Sequence, residues 1–296
     1  MGAYPLEDHK QVHRILGIKK LLSFDYDKDI VARQIFNKPI EGCHCIKIKS
    51  GDLISNLNAE MKKCGLKNFG VVFWLDYTDP KEIRDQLSEF QTLLDTLAVG
   101  DIVRVTVNAE VNSLSRDQNK TSPDYQNKLL KKRFDKITER IGDLLPYSVS
   151  ANDMTVEGLP TVYSKAFAEA ARLAFPASNN NTFMPLSLVR YADGQQMLSI
   201  TGIIIERKNK DKFLKSTLIR SWPFWSADWS SVHKLIVPSL TVRERLYLEK
   251  TVASKSAANI VKEIGFDKAA GISMRDFLSS YEKYYRFYPS LLTAEL

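Results

Sequence analysis

Three aspartates stand where strand-like segments of this chain run out. Asp25 follows Leu21-Leu22-Ser23-Phe24, and Asp76 follows the most apolar stretch, Phe69-Gly70-Val71-Val72-Phe73-Trp74-Leu75. Asp52 comes just past the alternating segment Cys43-His44-Cys45-Ile46-Lys47-Ile48, behind Ser50-Gly51. A lone aspartate at such a place is usually a helix cap or turn residue. Their joint placement carries more weight, because open α/β sheets bind ligands beyond the carboxyl ends of their strands. A carboxylate there accepts hydrogen bonds from ribose hydroxyls or an exocyclic amine, and it repels phosphate. The edge therefore does not suit a plain nucleoside triphosphate. The sequence also lacks the Gly-x-x-x-x-Gly-Lys-Ser/Thr phosphate loop and the Gly-x-Ser-x-Gly elbow of α/β-hydrolases.

The elements that must position these carboxylates can be read from periodicity. Helical spacing covers residues 6–16, 28–37, 53–64 and 80–98, with Gly65 and Gly100 as stops. Strand-like runs cover 21–25, 43–48, 69–75 and 102–107, and the third reads as buried on both faces. Strands separated by helices of this length predict a parallel sheet with right-handed crossovers. Further on, residues 123–143 form a basic amphipathic helix and 160–175 an Ala-rich one. Residues 183–191 and 196–205 read as antiparallel strands joined at Ala192-Asp193-Gly194. From about residue 235 the pattern changes to three short helices, the first capped by Thr241. The expected division is an α/β domain over 1–232 and a helical module, helix-turn-helix or winged-helix-like, over 233–296.

The chain of 296 residues carries a net charge of +7. Residues 1–110 hold 15 basic and 16 acidic side chains, so the whole excess lies beyond them. Residues 207–250 hold 10 basic against 4 acidic. Localised positive charge attracts polyanions, although a solvated surface is an equal alternative. Lys208, Lys210, Lys212, Lys215 and Arg243 are the basic candidates for nucleic acid. Trp222 and Trp225, with Trp229 close by, could stack on unpaired bases or anchor the tail by packing. Three cysteines are too few for a disulfide scaffold, and no run is long enough to cross a membrane, so a cytoplasmic setting is expected. Cys43 and Cys45 point one way on a strand and His44 the other, so no metal site is expected. His9 and His13 share a helix face, and His9 is a further candidate base.

With these residues in view, the sequence resembles the class I S-adenosylmethionine-dependent methyltransferases, a Rossmann-like family, over roughly residues 2–205. The resemblance implies parallel βα units followed by a terminal antiparallel hairpin. It also implies S-adenosylmethionine as cofactor. Gly2-Ala3-Tyr4 would correspond to the glycine loop that cradles the methionine portion. Asp25 would bind the cofactor's ribose, Tyr26 would lie beside the adenine, and Asp52 would meet the adenine amine. Asp76 and Tyr77 would face the methyl group and the acceptor. In the family a first strand precedes the glycine loop and lies between the strands matching those that end at Asp25 and Asp76. Here no such strand precedes Gly2, so those two strands are expected to lack their shared neighbour, as in a shortened form of a longer protein. The basic second half makes nucleic acid the expected acceptor. A non-catalytic scaffold docking nucleic acid or a protein partner is the alternative. The layout also resembles methyltransferase-like proteins of bacterial defence islands and mobile elements with helix-turn-helix tails.

Overall fold

The structure is a computed structural model that describes residues 4–66, 70–118, 121–236, 240–269 and 272–287. Helix α1 (Glu7–Leu16) precedes β1 (Leu21–Asp25), α2 (Lys28–Asn37) and β2 (Cys43–Lys47). Short helices α3 (Ser50–Ser55) and α4 (Leu57–Lys63) lead to β3 (Val72–Asp76), α5 (Ile83–Thr96) and β4 (Ile102–Asn108). Helices α6 (Pro123–Ile141) and α7 (Leu159–Ala174) precede the hairpin β5 (Asn181–Asp193) and β6 (Gln195–Glu206). Then follow α8 (Lys210–Ser216), β7 (His233–Lys234), α9 (Val242–Thr251) and α10 (Ala257–Ile264). A two-residue-strand hairpin, β8 (Lys268–Ala269) and β9 (Ile272–Ser273), comes before α11 (Met274–Tyr284).

Local chemistry explains the boundaries. Asp27 starts α2 by accepting from the amides of Asp29 and Ile30. Ser122 caps α6, with Pro123 in its first turn. Thr241 and Glu244 form a reciprocal capping box on α9. Gly194, at φ 72°, turns the β5–β6 hairpin. The expected helix over 53–64 is instead two helices, α3 and α4, broken at Asn56.

The strands form a mixed arrangement. β1 pairs parallel with β2 as a separate two-stranded sheet. The main sheet has the order β3-β4-β6-β5-β7, with β3 and β4 parallel and β6 antiparallel to both β4 and β5. So the strands ending at Asp25 and Asp76 do not pair with each other. The stretch expected to be buried on both faces is β3, an edge strand. Val72 is accordingly 62% exposed, while Phe69 lies outside the described residues.

One core nevertheless joins the two sheets. Phe24 of β1 and Phe73 of β3 approach with ring centroids 6.3 Å apart. Both belong to a cluster with Leu53 and Ile54 of α3, Leu87 and Phe90 of α5, and Val103, Val105 and Val107 of β4. Ala166, Ala170 and Ala171 bring α7 into the same cluster. Each fully buried Leu, Ile or Phe contributes about 1.5–3 kcal/mol. The opposite face of β1–β2 is covered by Leu6 and by Val12 of α1, which pack with Leu21 and Cys43. Helices α9, α10 and α11 gather around Leu248, Ile260, Phe277 and Tyr281, a cluster that also takes in Phe224 and touches Val189 of β5. Residues 233–234 pair with β5, so the chain enters this helical region from the main sheet. Among the described residues no helix is long and apolar enough to cross a membrane.

Candidate active site at the strand ends

The carboxyl ends of the parallel strands carry Asp25, Asp76 and Asn108. Asp25 accepts the amide of Asp27 on Oδ1 at 2.8 Å, and Oδ2 has no hydrogen bond among the described residues. Beside it, Tyr26 is 69% exposed. Asp52 is exposed, but it lies in the first turn of α3 rather than in a loop, because the chain turns helical at Ser50. Open carboxylates of this kind can take ribose hydroxyls or an amine, so the donor set fits S-adenosylmethionine. Tyr4 lies under the Arg33 guanidinium, 3.3 Å from ring centroid to Cζ, and its carbonyl accepts from Asn37 Nδ2 at 3.2 Å. Gly2 and Ala3 lie outside the described residues.

Strand alternation separates Asp76 from Tyr77. Asp76 shares a sheet face with Trp74 and Arg104, whereas Tyr77 continues the core face of Phe73 and Leu75. Burial pushes the Asp76 carboxyl above its ordinary range, with nearby Asp8 adding to the effect and Arg104 opposing it. Arg104 stacks 4.5 Å from the Trp74 ring and donates from Nε to Ser199 Oγ at 3.0 Å. Tyr77 is buried, and its hydroxyl donates to Glu89 Oε2 at 2.5 Å. Burial, then this hydrogen bond, holds the phenol well above its usual range. Its side chain therefore ties the strand end to α5.

His9 is half-buried. Its Nε2 lies 3.3 Å from the Leu22 carbonyl on the edge of β1 that does not face β2, and burial lowers its pKa. The neutral ring thus covers a strand edge. His13 makes a similar contact with the Ile18 carbonyl at 2.8 Å. Among the described residues no group of three His, Cys, Asp or Glu side chains is placed to hold a metal ion.

An open depression of about 420 Å³ lies just beyond β3 and β4. Asp79, Asn108, Glu110, Ser113, Arg116 and Gln195 contribute to its wall. Asn108 Nδ2 donates to the Thr78 carbonyl at 3.1 Å and to Gln195 Oε1, and Asn108 Oδ1 accepts the Glu110 amide at 2.9 Å. Arg133 holds Asn112, another residue of this wall. Only 5% exposed, it donates to the carbonyls of Ser115 and Met154 and to Asn112 Oδ1. One of the three basic residues at 131–133 is therefore an internal clamp. The sequence reading missed this wall. Asn108 closes a β-branched strand as the aspartates do, but spacing alone does not bring residues 79, 110, 113, 116 and 195 beside it. Gln195 reaches the same edge because β6 runs antiparallel to β4, which sequence spacing does not reveal.

The tryptophans are used in packing. Trp229 lies 6.0 Å from the Phe183 ring, and Trp225 packs against a cluster of Met184, Leu186, Ile205 and Leu214. Trp222 contacts Phe224 edge-on and stays 40% exposed. Lys208, Lys210, Lys212 and Lys215 are exposed in and before α8, with Lys208 3.4 Å from Glu206. Arg243 is exposed in the first turn of α9.

No curated protein matches the chain. Its whole length, residues 1–296, matches the model of a family described as putative O-methyltransferase. A match over the entire sequence settles the kinship: the chain belongs to this family of putative O-methyltransferases.

Proposed function

We propose that the protein moves a methyl group from S-adenosylmethionine to a hydroxyl oxygen. The observation that carries this reading is the pair of open carboxylates, Asp25 and Asp52, past the ends of β1 and β2, with Asp76 and a polar depression past β3. Asp25 and Asp52 hold the cofactor, with Tyr26 against its adenine and Tyr4 along its methionine portion. S-adenosylmethionine, when bound, supplies a sulfonium-activated methyl carbon. The protein's own part is to orient the acceptor, exclude water and receive a proton. Asp76, its pKa raised by burial, takes the acceptor's hydroxyl proton. Tyr77 is a positioning residue that fixes the strand end against Glu89.

Isothermal titration calorimetry with S-adenosylmethionine tests the reading. The wild-type chain is expected to bind, and Asp25→Asn with Asp52→Asn to bind at least ~10-fold more weakly, because each replacement weakens a charge-assisted hydrogen bond of about 1.5–3 kcal/mol. No heat at millimolar cofactor would leave the non-catalytic scaffold as the better account. The exposed lysines around α8 favour a second reading in which the acceptor hydroxyl belongs to a nucleic acid. That reading requires affinity for RNA or DNA that falls steeply with salt.

A further inference from the structure

The wall of the depression beyond β3 and β4 has a chemistry that selects among acceptors. Resting on the methyl-transfer reading above, we propose that this depression binds a polyhydroxylated acceptor, a single sugar ring, and presents one of its hydroxyls. Two donors in the wall have no partner among the described residues: the Gln195 side-chain amide N–H groups and the Arg116 guanidinium. Two carboxylates stand with them. Asp79 accepts the Lys81 amide on Oδ1 at 2.8 Å, and Glu110 accepts the amides of Asn112 at 3.2 Å and Gln196 at 3.4 Å. Each carboxylate has lone pairs left over.

This mixture of signs discriminates. A phosphate or carboxylate acceptor would meet Asp79 and Glu110, and an amine would meet Arg116. A flat apolar ring would strip water from every one of these groups without replacing a hydrogen bond, a cost of about 1–3 kcal/mol each. Hydroxyl groups both donate and accept, so a ring carrying several of them matches donors and acceptors together. Most small-molecule pockets are largely apolar, and this one is not. Its volume of about 420 Å³ sits at the small end of the ordinary range, suited to one ring rather than a long chain.

The sugar can be free or can be the ribose of a nucleic acid, and the test separates the two. Amide chemical shifts of the full-length protein are followed on adding D-ribose, methyl β-D-glucoside, uridine, a short RNA oligonucleotide and, as the apolar counterpart, catechol. A sugar or uridine is expected to move the amides of Glu110, Ser113 and Gln195. The double variant Arg116→Ala with Gln195→Ala, altered only at exposed side chains, is expected to weaken that response at least ~5-fold. RNA moving these amides while free sugars do not would identify the nucleic-acid ribose as the source and would support the proposal. Catechol binding here in preference to sugars overturns it, as does RNA that shifts only residues around Lys208–Lys215. Calorimetry with S-adenosylhomocysteine runs in parallel. Cofactor binding with no response of these amides to sugar, uridine or RNA sinks the acceptor proposal alone. A sugar response that the double variant weakens, without cofactor binding, sinks methyl transfer and leaves a sugar site.

Discussion

Asp76 combines a functional role with a cost to stability. Burial raises its carboxyl pKa, so the folded-state value lies above that of the unfolded chain. Below about pH 4 the group is protonated in both states and the fold bears no penalty. As pH rises through the folded-state value, a charge must be held in a half-buried place, and stability is lost. Asp76→Asn removes that charge at nearly constant shape. Thermal melts should show no difference from wild type near pH 4 and a more stable variant near pH 7, while methyl transfer falls by about 10²–10⁴-fold if the carboxylate is the base. A variant less stable than wild type at pH 7 would mean that the attraction of Arg104 outweighs the burial penalty. Tyr77 should behave in the opposite way. Tyr77→Phe removes the hydroxyl that binds Glu89 and leaves that carboxylate short of a partner. Urea denaturation should show a loss of about 1–3 kcal/mol. Sequence alone placed both residues at a strand end. Alternation sends neighbours to opposite faces, but sequence does not show that the face of Tyr77 is the core and that of Asp76 is not.

Elements with a chemical signal at their ends were legible, and those defined by neighbours were not. Helix α2 was expected over 28–37 and is found there, because Asp27 caps it and Pro39 lies just past its end. The break between α3 and α4 at Asn56 is not legible in the sequence, since the apolar spacing continues through it. β3 was read as doubly buried from its composition, yet composition cannot say whether a strand has a partner on each side. Within β6, Gly202 marks a different constraint. A Cβ built on it would press into the Phe183 ring and stand 2.7 Å from the Met184 carbonyl. Phe183 in turn packs edge-on against Phe90, at 5.4 Å, and lies 6.0 Å from Trp229. Gly202→Ala therefore has to displace an aromatic ring that links the hairpin to α5 and to the tryptophan segment. Chemical denaturation should show a loss of about 1–3 kcal/mol, the usual cost of overpacking. A neutral effect would mean that Phe183 has room to swing aside.

Among the described residues the two larger sheets share one core, and that sharing is what the sequence conveyed least. Parallel βα units and a terminal hairpin were readable from periodicity. The acceptor wall was not, because it unites residues 79, 108–116 and 195, which only the sheet order brings to one edge. The same order sets β1 and β3 apart, with no backbone ladder between them, so their union rests on side chains. Phe24 is the β1 side of that contact. It is 4% exposed, meets Phe73 at 6.3 Å, and lies in the cluster that holds α3, α5 and β4. Truncating a phenylalanine so placed removes its burial and leaves a cavity, typically about 3–5 kcal/mol. If the β1–β2 sheet is held by this core, Phe24→Ala should lower stability by that amount while calorimetry still shows one cooperative transition. It should also weaken cofactor binding, because Asp25 follows Phe24 directly and α3, which carries Asp52, packs in the same cluster. A cost below about 1 kcal/mol, or a separate low-temperature transition for residues 4–66, would show that the β1–β2 sheet folds apart from the rest. The carboxylates proposed to hold the cofactor would then stand on a unit free to move against the acceptor wall.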